Sequence, residues 1–303
     1  MKFSVQLPTD RIEPTGEFTD STSISALAIA IENAGFDACY VTEHPFPPDE
    51  WVHASGHHAL DPFVALSAAA MVTRRLCLHT NLIVLPYRNP FLTAKSIASL
   101  DTLSGGRVIM GVGAGYLQGE YAALGAEFDR RNDLTDDAIS AMQEAWTGHS
   151  VKRRGVRYDA LGNTALPRPI QKPHPPLWVG GNSRVAIRRA VKSAQGWSPF
   201  PLAATHAGSV HTSAIESHTD LAERLEYLRQ FSAEIGRDTK VVVNFVPFGH
   251  GMNSQESFDY PSFRDEVADL EALGVDWLSI GVPGQGRAAY IESLNEFSAE
   301  IIK

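Results

Sequence analysis

Along this chain apolar positions recur at two periods, and the two take turns. Residues 2–7 alternate like a strand and stop at Pro8, while residues 23–34 carry apolar side chains at helical spacing until Gly35. Further strand-like runs cover 38–42, 76–84, 108–112, 177–179, 196–198, 240–246 and 277–281. Helical patterns fall between them, at 62–73, 90–103, 134–146, 184–194, 221–235, 263–273 and 288–302. Asp61-Pro62 shows how such a helix starts, with a capping carboxylate followed by proline at the first helical position. Strict alternation of strands and helices predicts a parallel sheet, and eight such units close into a (β/α)8 barrel, which needs about 250 residues.

The chain has 303 residues, so the surplus becomes insertions at the C-terminal face, after the first, second, fourth and seventh strands. The longest spans residues 148–176. No linker divides the sequence, and the expectation is a single domain over 1–303, with a doubly wound sheet as the structural rival. The start of the chain is too short and polar for a signal peptide, and no apolar run approaches a membrane span. The two cysteines, Cys39 and Cys77, sit in apolar runs and read as small core residues. A cytoplasmic protein is expected.

With 26 Lys+Arg against 35 Asp+Glu the chain carries −9, which argues against nucleic acid or a membrane surface as partner. That charge is unevenly spread. Residues 152–192 hold ten basic side chains and one acid, Asp159, so this stretch is +9 and the remainder −18.

In a barrel of this kind, chemistry sits at the C-terminal strand ends. The second strand ends in Glu43-His44, a histidine beside a carboxylate, which suits a general acid, a bond to a bound ring, or a structural loop contact. The third strand carries Thr80-Asn81 among β-branched residues, which suits a bulge that props a flat ligand or merely satisfies its own backbone. Gly111-Val112-Gly113-Ala114-Gly115-Tyr116 follows the fourth strand. Tyr116 breaks the dinucleotide-binding fingerprint, but close approach of backbone to a ligand fits. The fifth strand ends in Gly180-Gly181-Asn182-Ser183 and opens a helix, which suits either an anion site or simple capping. His53, His57, His58 and Asp61 cluster in the second insertion. A metal-dependent hydrolase on the same barrel would want an H-x-H pair after the first strand, where Leu7-Pro8-Thr9 stands, so no metal is expected.

These segments together resemble the bacterial-luciferase-like flavin monooxygenase superfamily, in its branch using the deazaflavin coenzyme F420. The carrying residues are Asn33-Ala34-Gly35-Phe36-Asp37, Val41-Thr42-Glu43-His44, Thr80-Asn81, Leu85-Pro86-Tyr87-Arg88-Asn89-Pro90, Ala94-Lys95, Leu100-Asp101-Thr102-Leu103-Ser104-Gly105-Gly106-Arg107, Gly111 to Tyr116, and Pro175-Pro176-Leu177-Trp178-Val179-Gly180-Gly181-Asn182-Ser183. The resemblance implies a (β/α)8 barrel, usually a homodimer, acting on a small-molecule substrate. It implies coenzyme F420, or FMN with oxygen as the alternative, lying in the barrel mouth. A non-proline cis peptide near Thr80-Asn81 would support the ring. His44 would be the proton donor or acceptor, with Glu43 tuning it. Gly113, Tyr116 and Gln118, and Gly180, Gly181, Asn182 and Ser183, would contact the cofactor's tail and phosphate. The basic segment suits the polyglutamate that follows the deazaflavin phosphate. The insertions at 9–20, 45–60 and 247–261 match no pattern and suit lids over a substrate pocket.

Overall fold

The computed structural model describes residues 1–12, 16–54, 56–250 and 258–303. In chain order it begins β1 (Lys2–Gln6), α1 (Ser21–Ala34), β2 (Ala38–Val41), α2 (Asp49–Ala54), α3 (Pro62–Val72), β3 (Cys77–Val84), α4 (Pro90–Ser104), β4 (Val108–Gly113), α5 (Gln118–Ala123) and α6 (Arg131–Trp146). It continues with β5 (Val151–Arg154), β6 (Asp159–Asn163), β7 (Leu177–Gly180), α7 (Arg184–Ser193), β8 (Gly196–Ser198), α8 (Ala204–Ala207), α9 (His218–Glu234), β9 (Val242–Phe245), α10 (Tyr260–Leu273), β10 (Trp277–Ile280) and α11 (Arg287–Phe297). Eight strands close into a parallel barrel in the order β1-β10-β9-β8-β7-β4-β3-β2, which is the (β/α)8 architecture expected from the alternation. No helix among the described residues is long and apolar enough to cross a membrane.

Local chemistry sets the helix limits. Asp20 accepts from Ser23 N–H at 2.7 Å at the start of α1, and Gly35, at φ 95°, ends it in the left-handed region that glycine enters without penalty. Asp61 accepts from Phe63 and Val64 N–H at 2.9 and 3.1 Å and starts α3.

Several elements depart from the expectation, among them the short helices α2, α5 and α8, which show no readable apolar period. The 148–176 insertion contains an antiparallel hairpin, β5–β6, in which only Val151 and Ala160 are buried, so it carries too little apolar pattern to be read as strands. The last helix ends at Phe297 and gives way to a π turn over Ser298–Ile302. Parts of the three insertions suggested as lids, residues 13–15, 55 and 251–257, lie outside the described residues.

Because successive strand side chains point to opposite faces, the barrel has two cores. Outward residues such as Val5, Val41, Leu78, Met110, Val179, Val243 and Leu278 meet the helices in one continuous apolar layer. The inward set begins with an apolar plug of Ala38, Ile109, Trp178 and Trp277, backed by Cys77 and Val242. Above the plug the interior turns polar. Ser4 shares a 3.2 Å hydrogen bond with His79 Nδ1, while Asn244 donates to Ser198 Oγ at 2.7 Å and accepts from Ser279 Oγ at 3.0 Å.

The expected bulge in the third strand is present. The β3–β4 register shifts between Thr80 and Ile83, and the peptide between Asn81 and Leu82 is cis, one bond beyond the position that the resemblance implied. Leu82 then fills a notch left by glycines. A Cβ on Gly180 would lie 2.2 Å from Leu82 Cδ1, and one on Gly113 would lie 3.0 Å from it. A Cβ on Gly111 would meet the Thr80 carbonyl oxygen at 2.1 Å. Overpacking of this kind costs roughly 1–3 kcal/mol. Gly180→Ala is therefore expected to destabilise by that order in denaturant unfolding, and Leu82→Ala to relieve part of the loss in the double variant. Gly111→Ala, whose severe clash is with the Thr80 backbone and which only grazes Leu82 at 3.1 Å, should gain much less relief; equal rescue of both would contradict the notch.

Candidate functional site

The mouth of the barrel is built from the ends of β2, β3 and β4. His44 follows β2 and is nearly enclosed, with 12 % of its side chain exposed. Trp51 of α2 lies against its ring at 4.4 Å between centroids, His57 meets it edge-on at 5.0 Å, and Tyr116 at 6.4 Å. The strand-two insertion thus folds back over the histidine.

The carboxylate beside His44 is not Glu43. Glu43 points to the opposite side of the strand end, where Oε2 accepts from Val84 N–H at 2.6 Å and Oε1 from Arg88 Nε at 2.8 Å and Nη2 at 2.5 Å. Arg88 also reaches Asp61 at 3.0 Å. Burial of Glu43 pushes its carboxyl up from the ordinary value, and Arg88 opposes that shift. The tuning role expected for Glu43 is corrected accordingly: it ties β2 to the end of β3. The carboxylate that faces His44 is Glu120 of α5, whose Oε2 lies 3.4 Å from Nδ1 and accepts from Tyr87 Oη at 3.0 Å, while Oε1 accepts from Phe46 N–H at 3.0 Å. Sequence reasoning missed Glu120 because α5 is too short to show a period. The available signal was Gly119, whose missing Cβ lets α5 sit on Pro48.

The other expected site residues divide. Thr80 is buried and donates to the Gly111 carbonyl at 2.9 Å, and Asn81 opens the cis bond of the bulge. Tyr116 is half-buried beside His44, and burial pushes its phenol up. Gln118 is exposed at the start of α5. Gly113 and Gly180 present their open faces to Leu82. Gly181 accepts from Trp197 Nε1 at 2.8 Å. Asn182 is consumed internally, donating to the Phe200 and Ser213 carbonyls and accepting from Phe200 N–H, so it pins the loop after β8. Ser183 caps α7 by accepting from Ala186 N–H at 3.2 Å.

Several buried polar atoms near the mouth and below it have no partner among the described residues: Thr9 Oγ1, Asp10 Oδ1, Tyr40 Oη, Thr42 Oγ1 and His79 Nε2. Gln6 holds the other Asp10 oxygen at 2.9 Å. Unsatisfied buried groups are uncommon in folded proteins, and several of them beside a barrel mouth fit a polar ligand. Among the described residues, no three His, Cys, Asp or Glu side chains gather as a metal requires. Asp61 of the candidate cluster is engaged as the α3 cap and by Arg88, and His57 Nδ1 lies 2.9 Å from the His58 carbonyl.

The chain belongs to the luciferase-like monooxygenase family, whose model matches residues 1–202. An uncharacterized protein of Mycobacterium tuberculosis is 30% identical over 295 residues, which cover 91% of this chain and 95% of that one. An F420-dependent glucose-6-phosphate dehydrogenase of Amycolatopsis mediterranei is 30% identical over 174 residues, 56% of this chain and 50% of that protein. In fold, the chain superposes on the monooxygenase RslO1 of Streptomyces bottropensis with a TM-score of 0.78 at 20% identity, covering 100% of this chain and 99% of that one.

Complete burial lowers the His79 pKa from 6.5 to about 3, so the imidazole stays neutral inside the barrel. Between these values the unfolded chain binds a proton that the folded chain does not, and stability falls as pH falls below 6.5. Lowering the pH from 6.5 to about 4.5 should cost roughly 2–3 kcal/mol through this group alone. His79→Asn should lose less stability over that interval than the parent in urea unfolding; parallel losses would show that His79 does not set it.

Proposed function

We propose that this protein transfers a hydride between coenzyme F420 and a small organic substrate. The observation that carries the reading is His44, held at the mouth under Trp51 with Nδ1 turned to a buried carboxylate, in a chain of the luciferase-like family. The sequence relation to an F420-dependent dehydrogenase supports the cofactor.

The residues present fit a flat heterocycle with a polar edge. Thr9, Asp10, Tyr40 and Thr42 offer unpartnered polar atoms, and Leu82 with the β3 bulge would form an apolar support. When bound, the deazaflavin supplies the two-electron hydride chemistry. The chain's own work is to orient and to exclude water. His44 takes up or gives back the proton that balances the hydride, and the insertion carrying Trp51 covers it. The anion reading of the α7 N-terminus belongs here too, where Gly180, Gly181, Asn182 and Ser183 would hold the phosphate. A luciferase-like monooxygenase reaction with FMN and oxygen is the second reading, favoured by the family's own description. Fluorescence titration with both cofactors separates the two: tight F420 binding and weak FMN binding are expected. His44→Ala should keep F420 affinity and lower turnover by about 100-fold or more, the usual contribution of a general acid or base. Tight FMN binding without F420 binding would decide for the second reading.

A second copy of the chain is the proposed partner. Val64 and Met71 on α3, and Leu92 and Leu103 on the adjacent α4, are large apolar side chains left exposed. Sedimentation should give a dimer, and Met71→Glu with Leu92→Glu a monomer; a monomeric parent protein would remove this reading.

A further inference from the structure

Glu120 stands out as a buried carboxylate that the sequence did not flag and that no lysine or arginine among the described residues neutralises. Its side chain is 1 % exposed, and among the described residues its partners are His44, Tyr87 and the Phe46 backbone, with neither lysine nor arginine. Two of these partners donate to it: the Phe46 N–H, which can only donate, to Oε1, and the Tyr87 hydroxyl to Oε2. Burial and the neighbouring carboxylate push the Tyr87 phenol up, which keeps it protonated and a donor. Both oxygens therefore act as acceptors. His44 Nδ1, 3.4 Å from Oε2, meets an acceptor and must itself carry a proton to bond there. The separation is long for a hydrogen bond, and such contacts commonly tighten when a site fills.

We propose that Glu120 is the positioning residue that fixes His44 as the Nδ1–H tautomer and leaves Nε2 as the atom presented to the mouth. The nitrogen that carries the proton in a neutral imidazole is set by the bond the other nitrogen makes. Through its second oxygen Glu120 also fastens Phe46, at the root of the insertion that brings Trp51 over the ring. One carboxylate thus sets the histidine's tautomer and anchors its cover. The functional weight of this assignment rests on the proposed role of His44, whereas the tautomer itself does not.

Glu120→Gln tests it. The amide keeps an oxygen for Phe46 N–H, but its NH2 replaces Oε2 and turns a donor toward Nδ1. Nδ1 must then accept, and the imidazole proton moves to Nε2. On protein labelled with 15N-histidine, at alkaline pH, long-range 1H–15N spectra read the tautomer directly, and His44 is assigned by loss of its signals in His44→Asn. The expected result is Nδ1–H in the parent and Nε2–H in Glu120→Gln. Turnover should fall about 10–100-fold, as when a residue orienting a reactive group is changed, with the dissociation constant for F420 little altered. Glu120→Asp, which retracts the carboxylate, is expected to give a mixture of tautomers and serves if the amide variant does not fold. An Nε2–H tautomer in the parent, or a tautomer unmoved by either variant, overturns the proposal. Failure of the parent protein to bind F420 would instead overturn the proposed function and leave the tautomer assignment standing.

Discussion

The geometry of the mouth hangs on the Glu43 carboxylate. Its side chain is 1 % exposed, so its charge is tolerable only because Arg88 and the Val84 N–H meet it. Removing one partner from a buried pair leaves an uncompensated charge and costs about 3–5 kcal/mol, although the intact pair adds little net stability. Its consequence is positional. The end of β3 is tied to the end of β2, and the chain leaves the bulge along one path. Arg88 is placed by that path, and so is Tyr87 one residue earlier. Tyr87 in turn meets Glu120, and Glu120 meets His44. The histidine is thus positioned by a short chain of bonds that begins on its own sequence neighbour and returns to it from the other side.

The polar interior gives that mouth its character. An eight-stranded barrel usually fills its centre with branched aliphatic side chains. Here only the bottom is apolar, and the layers above it carry Ser4, His79, Ser198, Asn244 and Ser279. Asn244, Ser198 and Ser279 satisfy one another, while Tyr40 and His79 each keep a polar atom with no partner among the described residues. The cost appears at low pH, where the unfolded chain takes up a proton that the buried His79 imidazole does not.

Much of this architecture was legible because alternation in a strand and period in a helix are local properties. Eight strands and their major helices could be read in sequence, and closure follows from their number. The site was less legible for a physical reason. Glu43 and His44 are neighbours in sequence, yet successive side chains at a strand end face opposite ways, so adjacency implied a contact that the backbone forbids. Glu120 lies 76 residues from His44 and meets it only once the barrel has closed. Some of the most recognisable sequence is structural. In the Leu100–Arg107 segment, Asp101 accepts from Gln171, and Arg107 donates to the carbonyls of Ala70, Thr73 and Leu76. Among the described residues these bonds fasten the foot of the barrel, away from the mouth.

The basic stretch from 152 to 192 carries a related lesson. Its excess of charge depends on where the window ends. Arg153 pairs with Asp137 at 2.6 Å and Arg189 with Asp136 at 2.5 Å, and both acids stand on α6, just upstream of the counted residues. Arg157 donates to the Pro86 and Gly125 carbonyls. The arginines that remain near the α7 start are Arg184 and Arg188, stacked against Tyr227. Arg184 occupies the first position of α7, at the positive end of the helix dipole, where a cation is unfavourable on its own. An anion there would relieve that repulsion, so the proposed phosphate reading rests on this one residue's placement more than on the charge of the whole stretch.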